Sequence, residues 1–162
     1  MPRLAPALLV PVLALAACGG SSATRPSLGF PAGVKAQQRD VGGGWSVAWG
    51  TAGRKAYAVA LHGETVVRSA DLKLRVLGPE PGSTAASLPQ VAAEIRAATP
   101  IDDTTLLVDG TPIDTKSGGP SPSYISIYGA PAAALASGRH VAVAFARAGE
   151  SGRAVAWTFT VR

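Results

Sequence analysis

The sequence has 162 residues and a formal net charge of +5, with 47% hydrophobic and 15% charged residues. This apolar fraction excludes a wholly disordered chain, and the length allows one domain of ordinary size with additional terminal segments. The 19 glycines and 13 prolines favour short strands joined by turns over long helices. Because the basic residues are dispersed along the chain, we interpret them as a solvated surface, with an anion-binding patch as the alternative. Nucleic acid is not an expected partner.

The first 17 residues have the three parts of a secretory signal peptide. Arg3 supplies a positive charge, an apolar stretch runs from Leu4 to Ala14, and small residues follow. The apolar stretch is shorter than the about 20 residues that a helix needs to cross a bilayer, and prolines interrupt it. Residues 1–17 therefore predict a leader that is cleaved and not a permanent membrane span.

The single cysteine, Cys18, directly follows the predicted leader. The segment that ends there, Leu15-Ala16-Ala17-Cys18, resembles the lipobox of bacterial lipoproteins. The resemblance implies cleavage before Cys18, a diacylglyceryl group on its sulfur and acylation of its new amino group, so that membrane lipid is a partner. It also implies an anchor in the cell membrane or outer membrane, with the protein facing outside the cytoplasm. A free thiol or an interchain disulfide is the alternative for this residue.

Two segments precede the main domain. Residues 18–44 are rich in Gly, Ser and Pro and show little apolar periodicity, which predicts a flexible tether. An added edge strand from Val34 to Val41 is the alternative for the last part of this segment. From Trp45 onward, apolar residues alternate with period two in short runs that turns connect, so residues 45–69 predict an N-terminal β-hairpin extension.

Residues 70–162 carry regularly spaced short runs of alternating apolar residues with turn residues between them. The main runs are Leu72–Val76, Val91–Ala97, Leu106–Val108, Tyr124–Tyr128, Val141–Phe145 and Val155–Val161. The run from Val91 also contains helix formers, but Pro89 and Pro100 leave too little room for a stable helix, so we predict a strand. Such a series is typical of an antiparallel sandwich or a small barrel.

Parts of this region resemble bacterial Ig-like modules. The segment Leu107–Ile113 resembles their Val-Asp-Gly hairpin, and the segments Leu135–Val143 and Trp157–Val161 resemble their last pair of strands. The predicted fold is therefore all-β, with an immunoglobulin-like antiparallel β-sandwich over residues 70–162. Because Cys18 lies outside this domain, we expect apolar burial alone, without an intersheet disulfide, to stabilise its core.

Few residues indicate chemistry. A zinc site needs three or four His, Cys or acidic ligands, and the sequence has two histidines and a cysteine that is predicted to carry lipid. We interpret His62 as a turn residue and His140 as a strand-start residue, with metal ligation as the alternative. No Gly-x-Ser-x-Gly nucleophile elbow occurs in the sequence. Four acidic residues near one end of the predicted sandwich are candidates for calcium, with turn formation as the alternative: Asp102, Asp103, Asp109 and Asp114. We predict no catalytic residue, no bound metal and no cofactor.

The candidate binding residues are Tyr124, Ser126 and Tyr128, which share one face of a predicted strand. If Ile125 and Ile127 face the core, the tyrosines face outward, where they can stack on a sugar ring or a protein partner. The opposite register, which buries the tyrosines, is the alternative.

These observations together predict a membrane-anchored envelope lipoprotein with a non-enzymatic Ig-like module that binds an envelope protein or glycan. A structural spacer or accessory subunit of an envelope assembly is the alternative. An envelope enzyme is least favoured, and its sign would be a deep pocket that holds His62 or His140 beside a carboxylate.

Overall fold

The computed structural model describes residues 27–162, so the predicted signal peptide (residues 1–17) and the predicted lipidation site Cys18 lie outside the described residues. The described residues contain no helix that is long and apolar enough to cross a membrane. The described chain forms strands in the order β1 Gln37–Gly42, β2 Trp45–Ala52, β3 Lys55–His62, β4 Thr65–Val67, β5 Lys73–Gly78, β6 Thr84–Ala85, β7 Val91–Arg96, β8 Asp103–Val108, β9 Thr111–Pro112, β10 Lys116–Ser121, β11 Tyr124–Gly129, β12 Gly138–Ala148 and β13 Ser151–Val161.

Strands β5 to β13 form an Ig-like β-sandwich of two sheets. One sheet has the strand order β5-β7-β11-β10, and the other has the order β6-β13-β12-β8-β9. If the short strands β6 and β9 are left out, seven strands remain. In chain order they correspond to Ig strands A to G, namely β5, β7, β8, β10, β11, β12 and β13. The two sheets then have the Ig orders A-B-E-D and G-F-C. We call them the ABED sheet and the GFC sheet. All neighbours pair antiparallel except β6, which pairs parallel with β13. The predicted all-β, Ig-like sandwich is thus confirmed.

Alternating apolar side chains from both sheets fill the space between them. On β7, Val91 and Ile95 are fully buried, so this segment is the predicted strand and not a helix. On β13, Trp157 and Phe159 are 3% and 0% exposed. The residues of β12 that face this core are the alanines at every second position from 142 to 148. Their small side chains leave space that the larger side chains of neighbouring strands fill at close packing.

A third layer covers the outer face of the GFC sheet. Strands β1 to β4 form one antiparallel sheet in chain order, which we call the N-terminal sheet. Its Trp49 packs against Leu107 and Val143 of the GFC sheet, and its Trp45 packs against Phe145. The strand β12 is therefore buried on both faces, with small side chains towards the sandwich core and large ones towards the N-terminal sheet.

The N-terminal sheet is larger than the hairpin predicted for residues 45–69. Strand β1 pairs antiparallel with β2, so residues 37–42 belong to a sheet and not to the flexible tether predicted for residues 18–44. The alternative interpretation, an edge strand from Val34 to Val41, is closer to the structure than the tether. Its pattern is weak because five of the six residues of β1 are exposed and Val41 alone among them packs inward. An edge strand of this kind is held by backbone hydrogen bonds, which produce no periodic pattern of apolar residues in the sequence.

The described chain begins on the outer face of the N-terminal sheet. There Leu28 and Phe30 pack against Val59 and Leu61, and Arg68 Nη2 donates a hydrogen bond to the carbonyl oxygen of Leu28 at 2.7 Å. Because the GFC sheet is the middle layer, this starting point lies on the opposite side of the molecule from the outer face of the ABED sheet.

Candidate functional site

His140 is a structural residue near the start of β12. Its Nδ1 donates to Asp109 Oδ2 at 2.7 Å, and its Nε2 donates to the carbonyl oxygen of Ala136 at 2.8 Å. Because both partners only accept, both ring nitrogens carry protons. Burial lowers the pKa of His140, but the hydrogen bonds to Asp109 and Ala136 and the charge of Asp109 together raise that pKa above its usual value.

The bond from His140 to Ala136 closes the corner between β11 and β12. In Ig domains a tyrosine near the start of strand F makes an analogous bond to the backbone a few residues upstream. His140 therefore performs the task of a corner residue, which is consistent with its prediction as a strand-start residue.

His62 lies at the end of β3, stacked on Trp45 with ring centroids 4.6 Å apart. Its Nδ1 is 3.7 Å from Glu150 Oε2, and the glutamate side chain is 93% exposed. Each histidine thus lies beside a carboxylate, but neither lines the grooves described below.

The candidate calcium ligands have separate partners. Asp102 Oδ2 accepts a backbone N–H of the β12–β13 turn at 2.6 Å, and Asp103 Oδ1 accepts the N–H of the next residue at 2.8 Å. Asp109 holds His140 and is in the left-handed region with a φ of 49°. Within residues 27–162, no three His, Cys, Asp or Glu side chains come together in a way that could hold a metal ion.

The predicted binding residues Tyr124, Ser126 and Tyr128 lie on the outer face of the ABED sheet. On β11, Ile127 is fully buried and Tyr128 is 37% exposed, so the tyrosines face outward. The strand register arranges the outward side chains of this sheet in three rows. These rows are Lys73-Arg96-Tyr124, Arg75-Glu94-Ser126 and Leu77-Ala92-Tyr128-Lys116.

A hydrogen-bonded cluster of Glu94, Arg96 and Tyr124 occupies one end of this face. Tyr124 Oη donates to Glu94 Oε2 at 3.0 Å, and Arg96 donates from Nε to Glu94 Oε1 at 3.0 Å and from Nη2 to Tyr124 Oη at 2.8 Å. The guanidinium carbon of Arg96 also lies 4.1 Å from the centroid of the Tyr124 ring. Each side chain is therefore positioned by the other two.

Glu94 is ionised in this cluster. The hydrogen bond from Tyr124, with the hydrogen bond and charge of Arg96, outweighs desolvation and holds the pKa of Glu94 below its usual value. Glu94 in turn holds the guanidinium of Arg96 at a fixed place on the sheet.

Basic side chains that are far apart in the sequence gather around this cluster. An open groove of about 760 Å³ is lined by four cations and a carboxylate, which are Lys73, Arg75, Arg96, Arg153 and Glu94. Lys73 and Arg75 form no salt bridge with any residue of the described part of the chain.

The sequence analysis missed this cationic groove. The alternation of Lys73 and Arg75 with apolar residues marks an outward face of β5, but it does not identify the neighbouring strand. Arg96 comes next to them only through the pairing of β5 with β7, and Arg153 comes from β13 in the other sheet. The basic residues are dispersed along the chain, but four of them come together on the folded surface.

The other end of the face is an apolar groove of about 360 Å³. Tyr128 and Leu77, which are 37% and 41% exposed, flank Ala92, whose small side chain forms the floor. Gln90 and Ser126 add polar groups at the margin. Exposed apolar side chains with polar groups beside them suit a ring-shaped ligand that has an apolar face and polar edges.

Comparisons with known proteins add the following. No protein-family model matches this chain, and no curated protein matches it. The chain is similar to an engineered protein at 18% identity and a TM-score of 0.41, over 57% of this chain and only 20% of the length of that protein.

Two further solved structures are similar to this chain. PcoC, a methionine-rich copper resistance protein from Escherichia coli, matches at 19% identity and a TM-score of 0.31, over 51% of this chain and 89% of that one. A pair of tandem Ig domains of titin matches at 7% identity and a TM-score of 0.38, over 74% and 62% of the two chains. The present chain contains a single methionine, Met1. These likenesses concern the β-sandwich fold alone.

Proposed function

We propose that this protein is a membrane-anchored envelope lipoprotein whose Ig-like sandwich is a non-enzymatic binding module, with the outer face of the ABED sheet as its binding surface. One observation carries the proposal: this face combines an exposed apolar groove at Tyr128 and Leu77 with the preorganised cation Arg96. Contiguous exposed apolar surface with polar residues around it marks ligand grooves and interaction sites.

The order of the layers supports the choice of this face. A two-sheet sandwich has two outer faces, but here the N-terminal sheet covers that of the GFC sheet. Leu107, Val143 and Phe145 on the covered face are each 1% exposed or less. The outer face of the ABED sheet is the one that remains accessible to a ligand.

An anchor at Cys18 suits the same arrangement. Nine residues lead from Cys18 to Ser27, which allows a reach of at most about 30 Å. Ser27 adjoins Leu28 on the outer face of the N-terminal sheet. A membrane attached through Cys18 would lie on that side of the molecule and would leave the ABED face directed outward.

The anchor is tested by labelling the full chain with radioactive palmitate in a bacterial host. The parent protein is expected to incorporate label and to fractionate with membranes, and Cys18→Ser is expected to lose both, because the sulfur is the attachment atom. Equal labelling of the two proteins would contradict the anchor.

The binding surface is tested by sedimentation with delipidated, insoluble envelope material. The double variant Leu77→Ser/Tyr128→Ser is expected to be retained roughly tenfold less than the parent, because both side chains that flank the groove are removed. The control Lys55→Ser removes an exposed side chain of the N-terminal sheet and is expected to behave like the parent. Retention that the double variant does not change would contradict this binding surface.

A further inference from the structure

The outer face of the ABED sheet carries an excess of positive charge. Lys73 and Arg75 have no salt-bridge partner in the described residues, and Arg96 uses only part of its N–H groups on Glu94 and Tyr124. Glu94 is ionised and compensates a single cation. The face is therefore complementary to an anionic ligand and repels a cationic one.

Cationic side chains occur at both ends of the face. Lys116 pairs with Tyr128 across β10 and β11 and is exposed, so the register adds a cationic residue on the side of the apolar groove. Along β7, Ala92 in the groove and Arg96 in the charged cluster are four residues apart, which corresponds to about 13 Å. A ligand that engages both ends must be at least that long and must carry more than one anionic group. This excludes a single phosphate or a monosaccharide as the full ligand.

The apolar groove fits a sugar ring better than a lipid chain. Tyr128 and Leu77 offer exposed apolar surface beside Ala92, while Gln90 and Ser126 line the same groove with polar groups that can bond ring hydroxyls. A sugar ring has apolar C–H faces and polar edges, which match this pattern. An acyl chain would leave those polar groups unpaired, and the ABED face is directed away from the side on which the chain begins.

We infer that the outer face of the ABED sheet binds an anionic polysaccharide chain. A sugar ring stacks on Tyr128 over Ala92, and carboxylate or phosphate substituents of the same chain bind Arg75, Lys73 and Arg96. The inference rests on the proposed binding function of this face and specifies the class of its ligand.

The matched polymers dextran and carboxymethyl dextran test this ligand class with the purified full chain. They share one glucan backbone and differ in carboxylates, so the charge contribution is isolated. Carboxymethyl dextran is expected to bind at least about tenfold more tightly than dextran in low salt, with affinity falling as salt screens the exposed charges.

Three variants separate the two ends of the face. Tyr128→Ala is expected to weaken binding of carboxymethyl dextran about threefold to tenfold through loss of stacking. Lys73→Ser/Arg75→Ser is expected to weaken it by roughly tenfold, through two exposed ion pairs. The control Lys55→Ser is expected to bind like the parent. Circular dichroism of each variant checks that the sandwich is folded.

Several results would overturn the inference. Equal affinity for dextran would remove the anionic requirement, and tighter binding of inorganic polyphosphate that Tyr128→Ala does not change would remove the sugar. Preferential binding to phosphatidylglycerol vesicles would indicate a membrane surface. If neither glucan binds while envelope retention still depends on Leu77 and Tyr128, the ligand class is wrong and the binding surface stands. If that retention is also independent of these residues, the proposed function itself fails.

Discussion

His140 connects three segments of the sandwich through one charged side chain. Its ring joins the turn at Asp109, the corner at Ala136 and the aromatic face of Phe159, with ring centroids 5.6 Å apart in the last case. Asp109 also accepts the backbone N–H of Val141 at 2.9 Å, so the carboxylate receives two hydrogen bonds. A charge-assisted pair of this kind stabilises the fold only while the imidazole is protonated.

We therefore expect the free energy of unfolding to fall as the pH rises above the unfolded pKa of histidine and through the higher folded pKa of His140. Burial lowers the pKa of His140, but the bonds to Asp109 and Ala136 outweigh it, so the folded pKa lies above the unfolded value of about 6.5. Stabilisation from a raised pKa is fully present below the unfolded pKa and is lost as the pH rises through the folded one. Urea unfolding at a series of pH values measures this slope.

The variant Asp109→Asn is the control for this slope. Asparagine tolerates the left-handed backbone of this position and can still accept from Val141, but it removes the charge that favours the imidazolium. Its stability at pH 6 is expected to be about 1 kcal/mol lower, with a flatter dependence on pH. An unchanged slope in Asp109→Asn would show that another group causes the dependence.

At the scale of single residues, the sequence predicts what each side chain does within its own strand. The alternation around Tyr124 and Tyr128 predicts that both share a face, as the structure confirms. The sequence of a single strand cannot predict the contacts that its side chains make with other strands. The Glu94–Tyr124 bond joins residues 30 positions apart, and only the register of β7 with β11 creates it.

The strand β12 shows how an element can be assigned correctly while its environment is not. Its period-two pattern predicts a strand with a large-residue face and a small-residue face, and an ordinary sandwich would bury the large one in its core. The structure places the alanines in the sandwich core and Val143 with Phe145 under the N-terminal sheet. Periodicity therefore identifies two faces but does not say which layer covers each. For the same reason the sequence offered β1 only as an alternative to a tether, because backbone pairing has no apolar signature.

Matched substitutions on the outer faces of the two sheets test this difference in burial. Val143 on the GFC sheet is 0% exposed and Leu77 on the ABED sheet is 41% exposed. Val143→Ser is expected to lower the free energy of unfolding by about 3 kcal/mol, because apolar burial is lost and a hydroxyl is left without a partner. Leu77→Ser is expected to change it by about 0.5 kcal/mol. Urea unfolding of both variants measures the contrast, and similar losses at the two positions would contradict the layer order.

Residues 27–162 form a stack of three β-layers, and the GFC sheet in the middle is covered on both faces. Two interlayer spaces of about 10 Å each separate the outermost sheets. The N-terminal sheet is thus a cover for the GFC sheet, and it places the start of the described chain and the candidate binding face on opposite sides. Residues 70–162 would fold as a separate soluble domain only if the outer face of the GFC sheet could be exposed to solvent, and this face is apolar.

We expect a fragment of residues 70–162 to expose Leu107, Val143 and Phe145 and to self-associate and bind a hydrophobic dye, whereas residues 27–162 stay monomeric. Replacing these three residues by threonine in the fragment is expected to restore a monomer, because threonine suits an exposed strand. The same three substitutions in residues 27–162 are expected to lower the free energy of unfolding by about 5 kcal/mol or more, since three large side chains leave a buried interface. Analytical ultracentrifugation and urea unfolding measure the two effects. The essential result is that the threonine substitutions improve the fragment 70–162 and destabilise residues 27–162. Substitutions that merely disturb β8 and β12 would harm both proteins. Opposite effects are expected only if the N-terminal sheet covers these three side chains.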